Sequence, residues 1–303
     1  MRCGIGVDIG GTKIGVGICD ANGSVVGRNV RPTGEPEAII DQIRELIQQT
    51  GISISEIDGI GVGSVGPLDI ERGRITQPVN IPHWHEIPIV ALLSETFSLP
   101  VRLDNDANAA ALAEARFGNR FEHFVYLTLS TGIGGGIVVN GRLYRGARGN
   151  AAEVGHMILV PDGPRCNCGK RGCLEALASG TAIGRRGQEL LGLEQASAKL
   201  VFDRARSGDQ KAKQIIDEAA RYLGLGLANL MEIFNPNAIV VGGGMVKSWE
   251  LFAKRVERTA TAHAQINRAP IRPTELGDEI GILGAAALVW EPPRIAETGG
   301  HPR

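Results

Sequence analysis

Residues 4–19, GIGVDIGGTKIGVGIC, give a clear indication of the fold. Two apolar runs flank a polar Gly-Gly-Thr-Lys turn, and Asn22-Gly23 adds a second turn. Because the apolar alternation resumes directly after the first turn, both runs are expected to be strands of one hairpin. A dinucleotide-binding fingerprint or a P-loop would instead need a helix to begin there. The stretch therefore predicts a β meander.

The same design returns at residues 124–146. An apolar strand, a Gly/Thr-rich turn at 130–136, a second apolar strand and an Asn140-Gly141 turn follow one another. Repetition of this kind indicates an internal duplication. We therefore expect two α/β lobes around a shared cleft, each with a glycine-rich hairpin turn.

The turn at residues 10–13 is a candidate phosphate site. Its glycines leave backbone N–H groups accessible, and such groups bind phosphate oxygens. Asp8 lies at the end of the preceding strand, where a carboxylate can face a metal ion. An ordinary tight turn beside a buried strand aspartate would explain the same residues, since glycine motifs are weak evidence.

Two further loops are candidate ligand contacts. A strand predicted at Ile57–Val65 ends in a Gly-Ser-Val-Gly loop, where a ligand can meet the backbone. A second strand, predicted at 238–245, ends in three glycines. These glycines either let a nucleoside approach the backbone or form a plain turn. The loop Pro78–Pro88 contains few helix-forming residues and carries the polar and aromatic residues Asn80, His83, Trp84 and His85. Its His83 and His85 are interpreted as surface residues, because their spacing completes no zinc site.

A strand-to-helix corner lies in VRLDNDANAAALAEARFG, residues 101–118. Asp104, Asn105 and Asp106 fall at the predicted helix N-terminus, where one of them can be the N-cap. Three polar groups exceed what capping requires, and such corners at the carboxyl ends of strands bind ligands in α/β proteins. Asp106 is the candidate general base.

A candidate metal site lies within Gly149–Glu175. Cys166, Cys168 and Cys173 lie within eight positions of one another, ten residues or more after His156. Three thiolates and one imidazole are typical of a tetrahedral structural zinc site. Three reduced cysteines in a surface turn are the alternative, and a disulfide would leave one cysteine unpaired.

The remaining predicted elements are helices at about Glu35–Thr50, Ala178–Leu191, Leu200–Arg206, Ala212–Phe234, Trp249–Ile266 and Gly281–Trp290. The last of these can pack back on the first lobe. We therefore expect a smaller lobe of residues 1–118 with about 281–303. The larger lobe, 119–280, would carry the zinc-binding loop.

The composition is that of an ordinary globular protein, since 43% of the 303 residues are apolar and 21% are charged. With a net charge of -1 and no sustained basic run, neither nucleic acid nor an anionic membrane is expected as the main partner. No apolar segment has the length of a membrane span, and a strand pattern begins almost at once, without a signal peptide. We expect a cytoplasmic protein with reduced thiols.

Together these motifs closely resemble the ROK family of repressors, open reading frames and sugar kinases, with bacterial glucokinases as the best match. The resemblance extends over about residues 3–290. It implies an α/β fold of the actin-like ATPase (ribonuclease H-like) type, with two lobes around a cleft. The motifs that carry it are Asp8–Lys13, Asp104–Asn108, Ser130–Gly136, Glu153–Glu175 and Gly242–Gly244.

The resemblance implies ATP-dependent phosphorylation of glucose at the 6-hydroxyl, with Asp106 as general base and Mg²⁺ accompanying ATP near Asp8. His156 would give one ring nitrogen to a structural Zn²⁺, held also by Cys166, Cys168 and Cys173, and the other to a sugar hydroxyl. The implied sugar ligands are Gly66, Asn80, Asn105, Asp106, Glu153, His156 and Glu175. The implied ATP ligands are Asp8, Gly10, Gly11, Thr12, Lys13, Thr131, Gly132 and Gly243.

Several alternatives stay open. Kinases of N-acetylmannosamine, N-acetylglucosamine or fructose within the family present similar hydroxyls to the same acids and amides. A sugar-sensing repressor would need an N-terminal helix-turn-helix domain, for which about two residues precede the first strand. A zinc-knuckle nucleic-acid binder finds little support in the few charges of Arg165, Lys170 and Arg171. A homodimer or a dimer of dimers is expected.

Overall fold

The structure is a computed structural model that describes residues 2–78, 80–147 and 149–291. The chain forms two compact units. One consists of the residues up to Asp104 together with the chain from Ala285, and the other is Asn105–Gly284. Residues 292–303, to which the predicted smaller lobe extends, lie outside the described part.

The first unit is built on a mixed sheet. Its strand order is β3-β2-β1-β4-β7, with β1 antiparallel to β2 and parallel to β4. The elements are β1 (Cys3–Ile9), β2 (Lys13–Asp20), β3 (Val25–Pro32), α1 (Ala38–Thr50), β4 (Ile57–Ser64), β5 (Leu68–Asp69), β6 (Arg74–Ile75), α2 (Ile89–Phe97) and β7 (Val101–Asn105).

The predicted first helix begins three residues later than expected, at Ala38. It ends where predicted, because Gly51 adopts a left-handed conformation with φ of 69° and donates its N–H to the carbonyl of Ile47. Its apolar stripe, which includes Ile39, Ile43 and Leu46, is buried against the sheet. The stripe therefore packs the helix on the strands as the periodicity predicts.

The second unit repeats the design of the first. Its sheet has the order β10-β9-β8-β11-β12, with β8 antiparallel to β9 and parallel to β11. The elements are α3 (Asp106–Phe117), β8 (Phe124–Leu129), β9 (Ile133–Val139), β10 (Arg142–Leu143), α4 (Leu174–Ala178), α5 (Gly180–Leu191), α6 (Ala198–Arg206), α7 (Gln210–Phe234), β11 (Ala238–Gly242), α8 (Ala253–His263), β12 (Ile271–Pro273) and α9 (Ile280–Ala287).

The two sheets share one topology. In each, three consecutive strands form an antiparallel meander, and a fourth strand lies parallel to the first strand of that meander: β4 beside β1, and β11 beside β8. This confirms the predicted duplication. The turns differ in detail, however. Asn140 and Gly141 both have positive φ, at 52° and 69°, as a two-residue hairpin turn requires. After β2 only Gly23 does, and the Asp20 carboxylate accepts the N–H groups of Asn22 and Ser24 instead.

Two predicted helices are shorter than expected. The helix expected at Ala178–Leu191 is interrupted at Ser179, whose hydroxyl accepts the N–H of Ala182 at 3.2 Å and so caps α5. The segment from Gly244 to Leu251 is 3₁₀ rather than α-helical, and α8 begins only at Ala253. Within the described residues, no helix combines the length and the apolar character that crossing a membrane requires.

Helix α3 belongs to the second unit because glycines of β9 let it approach closely. A Cβ atom at Gly136 would lie 2.5 Å from Cβ of Ala111, and one at Gly134 would lie 3.1 Å from Cβ of Ala107. The unit boundary consequently falls at Asn105, before α3, whereas the predicted limit at 118/119 lies after it. This packing fixes the N-terminal end of α3 relative to the β8–β9 hairpin.

Candidate functional site

The corner between β7 and α3 is formed as its sequence suggests. Asn105 is the N-cap, and its side-chain oxygen accepts the N–H of Ala107 at 3.0 Å. The carboxylate of Asp106 accepts the same N–H at 2.8 Å. Asp104 is fully buried, whereas Asn105 and Asp106 are half-buried. Asn105 therefore caps the helix, and the Asp106 carboxylate lies beside it at the same helix N-terminus.

The Asp106 carboxyl has a perturbed pKa. Burial raises its pKa above the usual range for aspartic acid, and the negative charge of Glu153 raises it further. The N–H of Ala107 opposes this shift by stabilising the ionised form. A carboxyl perturbed by burial and by a neighbouring charge is a candidate for acid–base chemistry.

The predicted metal ligands come together. One ligand atom from each of His156, Cys166, Cys168 and Cys173 lies within 4.8 Å of the others. The Cys168 and Cys173 sulfurs are 3.7 Å apart, as are the Cys166 sulfur and Nδ1 of His156. Tetrahedral ligands at a Zn–S distance of about 2.3 Å would be about 3.8 Å apart. The donor set and its spacing thus fit a tetrahedral metal ion.

Local backbone geometry closes this cluster. Cys166 donates its N–H to the carbonyl of Lys170 at 2.8 Å, so the chain reverses around Cys168, the second of the three cysteines. Gly172 has φ of 66°, and a Cβ atom there would lie 1.5 Å from the carbonyl oxygen of Val160. Only glycine allows so close an approach. The tight turn directs Cys173 toward the other ligands.

His156 connects the cluster with an acidic residue. Its Nδ1 faces the Cys166 sulfur, while its Nε2 lies 3.8 Å from Oε2 of Glu153. The Glu153 side chain is exposed, so it is available to a ligand. The two ring nitrogens therefore face different partners.

Glu175 lies between the cluster and the β8–β9 turn. Its Oε1 is 3.7 Å from the Cys166 sulfur, and its Oε2 accepts the N–H of Ile133 at 3.0 Å. The same oxygen would lie 2.5 Å from a Cβ atom at Gly132. The structure thus brings a predicted sugar ligand against a predicted phosphate-binding glycine.

Gly243 lies beside β8, the strand that leads into the β8–β9 turn. Its φ is 89°, and a Cβ atom there would lie 2.5 Å from the carbonyl oxygen of Leu129. Thr131, at the tip of the turn, is exposed. Glycine is therefore required at position 243 by close backbone packing, whether or not a nucleoside binds there.

In the first unit, the predicted phosphate turn is tight and ordered. Gly10 donates its N–H to the carbonyl of Lys13 at 3.0 Å. Thr12 and Lys13 are exposed, and Asp8 is half-buried in β1 opposite Gly15 and Gly63.

Asn80 and Gly66 lie near this turn. A Cβ atom at Gly11 would lie 2.6 Å from Cβ of Asn80. Gly66 follows Val65, whose N–H is donated to the carbonyl of Ile9 at 3.1 Å. The structure thus gathers Asp8, the turn, Gly66 and Asn80 at one end of the first sheet.

Some residues that the sequence singled out have structural roles. Trp84 is fully buried and donates its indole N–H to the carbonyl of Gly34 at 3.0 Å, so it is part of the core. His83 and His85 are exposed, as interpreted. Sequence reasoning missed Thr181, which hydrogen-bonds the β8–β9 turn. Its only signal in the sequence was the Ser-Gly-Thr run at 179–181, where Ser179 caps α5 and the next two residues begin it, and this run is typical of an ordinary helix start.

The ROK family model matches residues 4–291, nearly the whole described chain. The chain belongs to the ROK family. As in the ROK sugar kinases of known structure, its fold is the two-lobe α/β fold of the actin-like ATPases.

Several ROK proteins are similar over almost their full length. A glucokinase of Thermotoga maritima is 38% identical over 95% of this chain and 97% of its own. An N-acetylmannosamine kinase of Yersinia pestis is 35% identical over 94% of this chain and 98% of its own. The crystal structure of a ROK glucokinase from Streptomyces griseus, in complex with glucose and AMPPNP, has a TM-score of 0.80 and 35% identity, and covers 94% of this chain and 98% of its own.

Proposed function

We propose that this protein is an ATP-dependent glucokinase that transfers a phosphoryl group from ATP to the 6-hydroxyl of glucose. The observation that carries the proposal is the Asp106 carboxyl at the N-terminus of α3, with its pKa raised by burial and by Glu153. The glucokinases of Thermotoga maritima and Streptomyces griseus, similar over nearly the whole chain, support the same activity.

Asp106 is the proposed general base. It takes the proton of the attacking sugar hydroxyl, and its raised pKa makes the carboxylate a stronger proton acceptor. General base catalysis contributes roughly 10²- to 10⁴-fold to a rate. Asn105, fixed as the N-cap, would hold neighbouring hydroxyls of the sugar.

Glu153, His156 and Glu175 are the other proposed sugar ligands in the second unit. Glu153 and the Nε2 atom of His156 lie together, so one accepts and the other donates hydrogen bonds to vicinal hydroxyls. Gly66 and Asn80 are proposed as sugar contacts of the first unit, where Asn80 packs against the glycine turn.

The metal cluster is proposed to hold Zn²⁺ through His156, Cys166, Cys168 and Cys173. Bound zinc would fix the tautomer of the imidazole, with Nε2 as a hydrogen-bond donor. The site is structural, since all four ligands come from the protein and leave no open coordination position. Reduced thiols are needed, which supports a cytoplasmic location.

The phosphate groups of Mg-ATP are proposed to bind to backbone N–H groups. In the first unit these belong to the turn at residues 10–13, apart from the Gly10 N–H, which the Lys13 carbonyl accepts. The Lys13 ammonium would supply positive charge, and Asp8 would face the Mg²⁺ ion. In the second unit they belong to Thr131 and Gly132, and Gly243 would border the nucleoside. A homodimer or a dimer of dimers remains our prediction for the assembly.

An N-acetylmannosamine kinase is the second candidate, because the Yersinia pestis enzyme of that name is 35% identical over 94% of this chain. The deciding experiment measures ADP release from Mg-ATP with glucose, mannose, fructose, N-acetylglucosamine and N-acetylmannosamine, using zinc-loaded protein. We expect the highest kcat/KM with glucose and glucose 6-phosphate as the product. A preference for N-acetylmannosamine would select the second candidate.

A further inference from the structure

The β8–β9 turn at residues 130–132 is tied to the first residues of α5. Gly180 donates its N–H to the carbonyl of Ser130 at 2.8 Å. Thr181 donates twice to the carbonyl of Thr131, from its N–H at 3.1 Å and from its Oγ1 at 2.9 Å. Two successive carbonyls of the turn are therefore fixed by α5.

These bonds also determine where the N–H groups of the turn point. In a trans peptide, the C=O of one residue and the N–H of the next are antiparallel, because the group is planar. Fixing the Ser130 carbonyl toward α5 directs the Thr131 N–H away from it, and fixing the Thr131 carbonyl does the same for the Gly132 N–H. These are the two N–H groups proposed above for phosphate.

Close packing leaves the turn little freedom. A Cβ atom at Gly180 would lie 2.7 Å from the carbonyl oxygen of Ser130, and one at Gly243 would lie 2.5 Å from that of Leu129. Preformed donors stabilise transferring phosphoryl groups more effectively than donors that must reorganise during the reaction. The hydroxyl of Thr181 is thus well placed to keep the turn in its binding conformation.

The first unit contains the same arrangement. Thr33 donates its hydroxyl to the carbonyl of Gly10 at 2.7 Å and its N–H to the carbonyl of Thr12 at 3.2 Å. By the same peptide geometry, the N–H of Gly11 is directed away from Thr33. Each glycine-rich turn is therefore held by a threonine from a neighbouring segment.

We propose that Thr181 and Thr33 are positioning residues that orient backbone N–H groups for the phosphates of ATP. The inference rests on the proposed nucleotide-binding turns. Neither threonine is assigned contact with ATP itself. Since each acts through a carbonyl, removal of its hydroxyl should weaken nucleotide binding without affecting the sugar ligands.

The test compares Thr181→Val with Thr181→Ser, and likewise at Thr33, by calorimetric binding of Mg-AMPPNP and by steady-state kinetics. Loss of one hydrogen bond predicts a roughly three- to tenfold higher Kd for AMPPNP and KM for ATP in the valine variants. The glucose KM should be unchanged, and serine should restore the wild-type values. Gly180→Ala, which forces the turn to move, should weaken AMPPNP binding more.

The matched control is Ser207→Ala, which removes an exposed hydroxyl, at the residue that follows α6, bonded to the carbonyl of Asp203. The inference would be overturned if Thr181→Val bound AMPPNP with the same Kd as wild type and Ser207→Ala. It would also be overturned if the glucose KM of Thr181→Val rose by the same factor as its ATP KM. Wild-type protein that binds AMPPNP but phosphorylates no sugar would refute the proposed function while the Kd comparison still decides the inference. Wild-type protein that fails to bind AMPPNP would refute both.

Discussion

Gly132 and Glu175 are fitted to each other with no room for a side chain between them. A Cβ atom at Gly132 would lie 2.5 Å from Oε2 of Glu175. The same oxygen accepts the N–H of Ile133 at 3.0 Å, so the carboxylate cannot withdraw without losing that bond. The position of Glu175, a proposed sugar ligand, therefore depends on the position of the turn at Gly132, a proposed phosphate ligand.

The variant Gly132→Ala tests this dependence. The added methyl group must displace either the turn or the carboxylate, at a cost of about 1–3 kcal/mol for overpacking. We expect kcat/KM for glucose phosphorylation to fall by roughly 5- to 150-fold. The control is Gly34→Ala, since a Cβ atom at Gly34 meets nothing within 4 Å. Equal activity of the two variants would show that the contact does not matter.

The pH dependence of kcat/KM tests the environment of Asp106. A general base must be ionised, so activity should fall as the pH drops through its pKa, which burial and the charge of Glu153 raise. Glu153→Gln removes that charge, so the acid limb of the profile should move to lower pH, whatever happens to the glucose KM. Glu257→Gln, on the exposed side of α8, should leave the limb in place. A limb that moves upward, or equally in both variants, would contradict the assignment.

Metal binding should release protons. Burial raises the pKa of Cys166 to about 12, whereas a metal ligand must be a thiolate. The apparent Zn²⁺ affinity should therefore fall as the pH is lowered, and the binding enthalpy should vary with the ionisation enthalpy of the buffer. Wild-type protein should hold one zinc ion per chain, and Cys168→Ser, at the exposed ligand, should hold it less tightly. A buffer-independent enthalpy would argue against thiolate ligation.

A buried carboxyl near the end of α3 should make stability depend on pH. Glu114 is 1% exposed and accepts the hydroxyl of Thr274, and burial raises its pKa. Since the folded protein then binds the proton more tightly than the unfolded chain, the free energy of unfolding should decrease as the pH rises through the raised pKa. Glu114→Gln should reduce this decrease in urea unfolding measured across that range. An unchanged slope would show that Glu114 does not titrate.

Much of the fold follows from the sequence because its patterns are local. The apolar alternation around the turn at residues 10–13 and its repeat at 124–146 predicted both meanders and the duplication. The ligand spacing from His156 to Cys173 predicted a cluster that the structure brings within 4.8 Å. The conformation of such short segments is constrained by their own glycines and turns, so it can be predicted from residues close together in the sequence.

The rest depends on contacts between segments distant in sequence. Helix α3 joins the second unit because Gly134 and Gly136 admit it against β9, which no local pattern reveals. Trp84 lies in a polar loop, yet it is fully buried and its indole N–H bonds the carbonyl of Gly34, 50 positions away. The role of Thr181 is likewise visible only in the folded structure, because its hydrogen-bond partner Thr131 lies 50 positions earlier in the sequence.

Turnover of Asp106→Asn with glucose and Mg-ATP shows whether Asp106 is the general base. Asparagine keeps the size of the side chain but cannot accept the hydroxyl proton, so we expect kcat to fall by roughly 10²- to 10⁴-fold while glucose binding, measured by calorimetry, is partly kept. The control is Asp217→Asn, which removes an exposed carboxylate from α7. A kcat of Asp106→Asn equal to that of wild type would contradict the account.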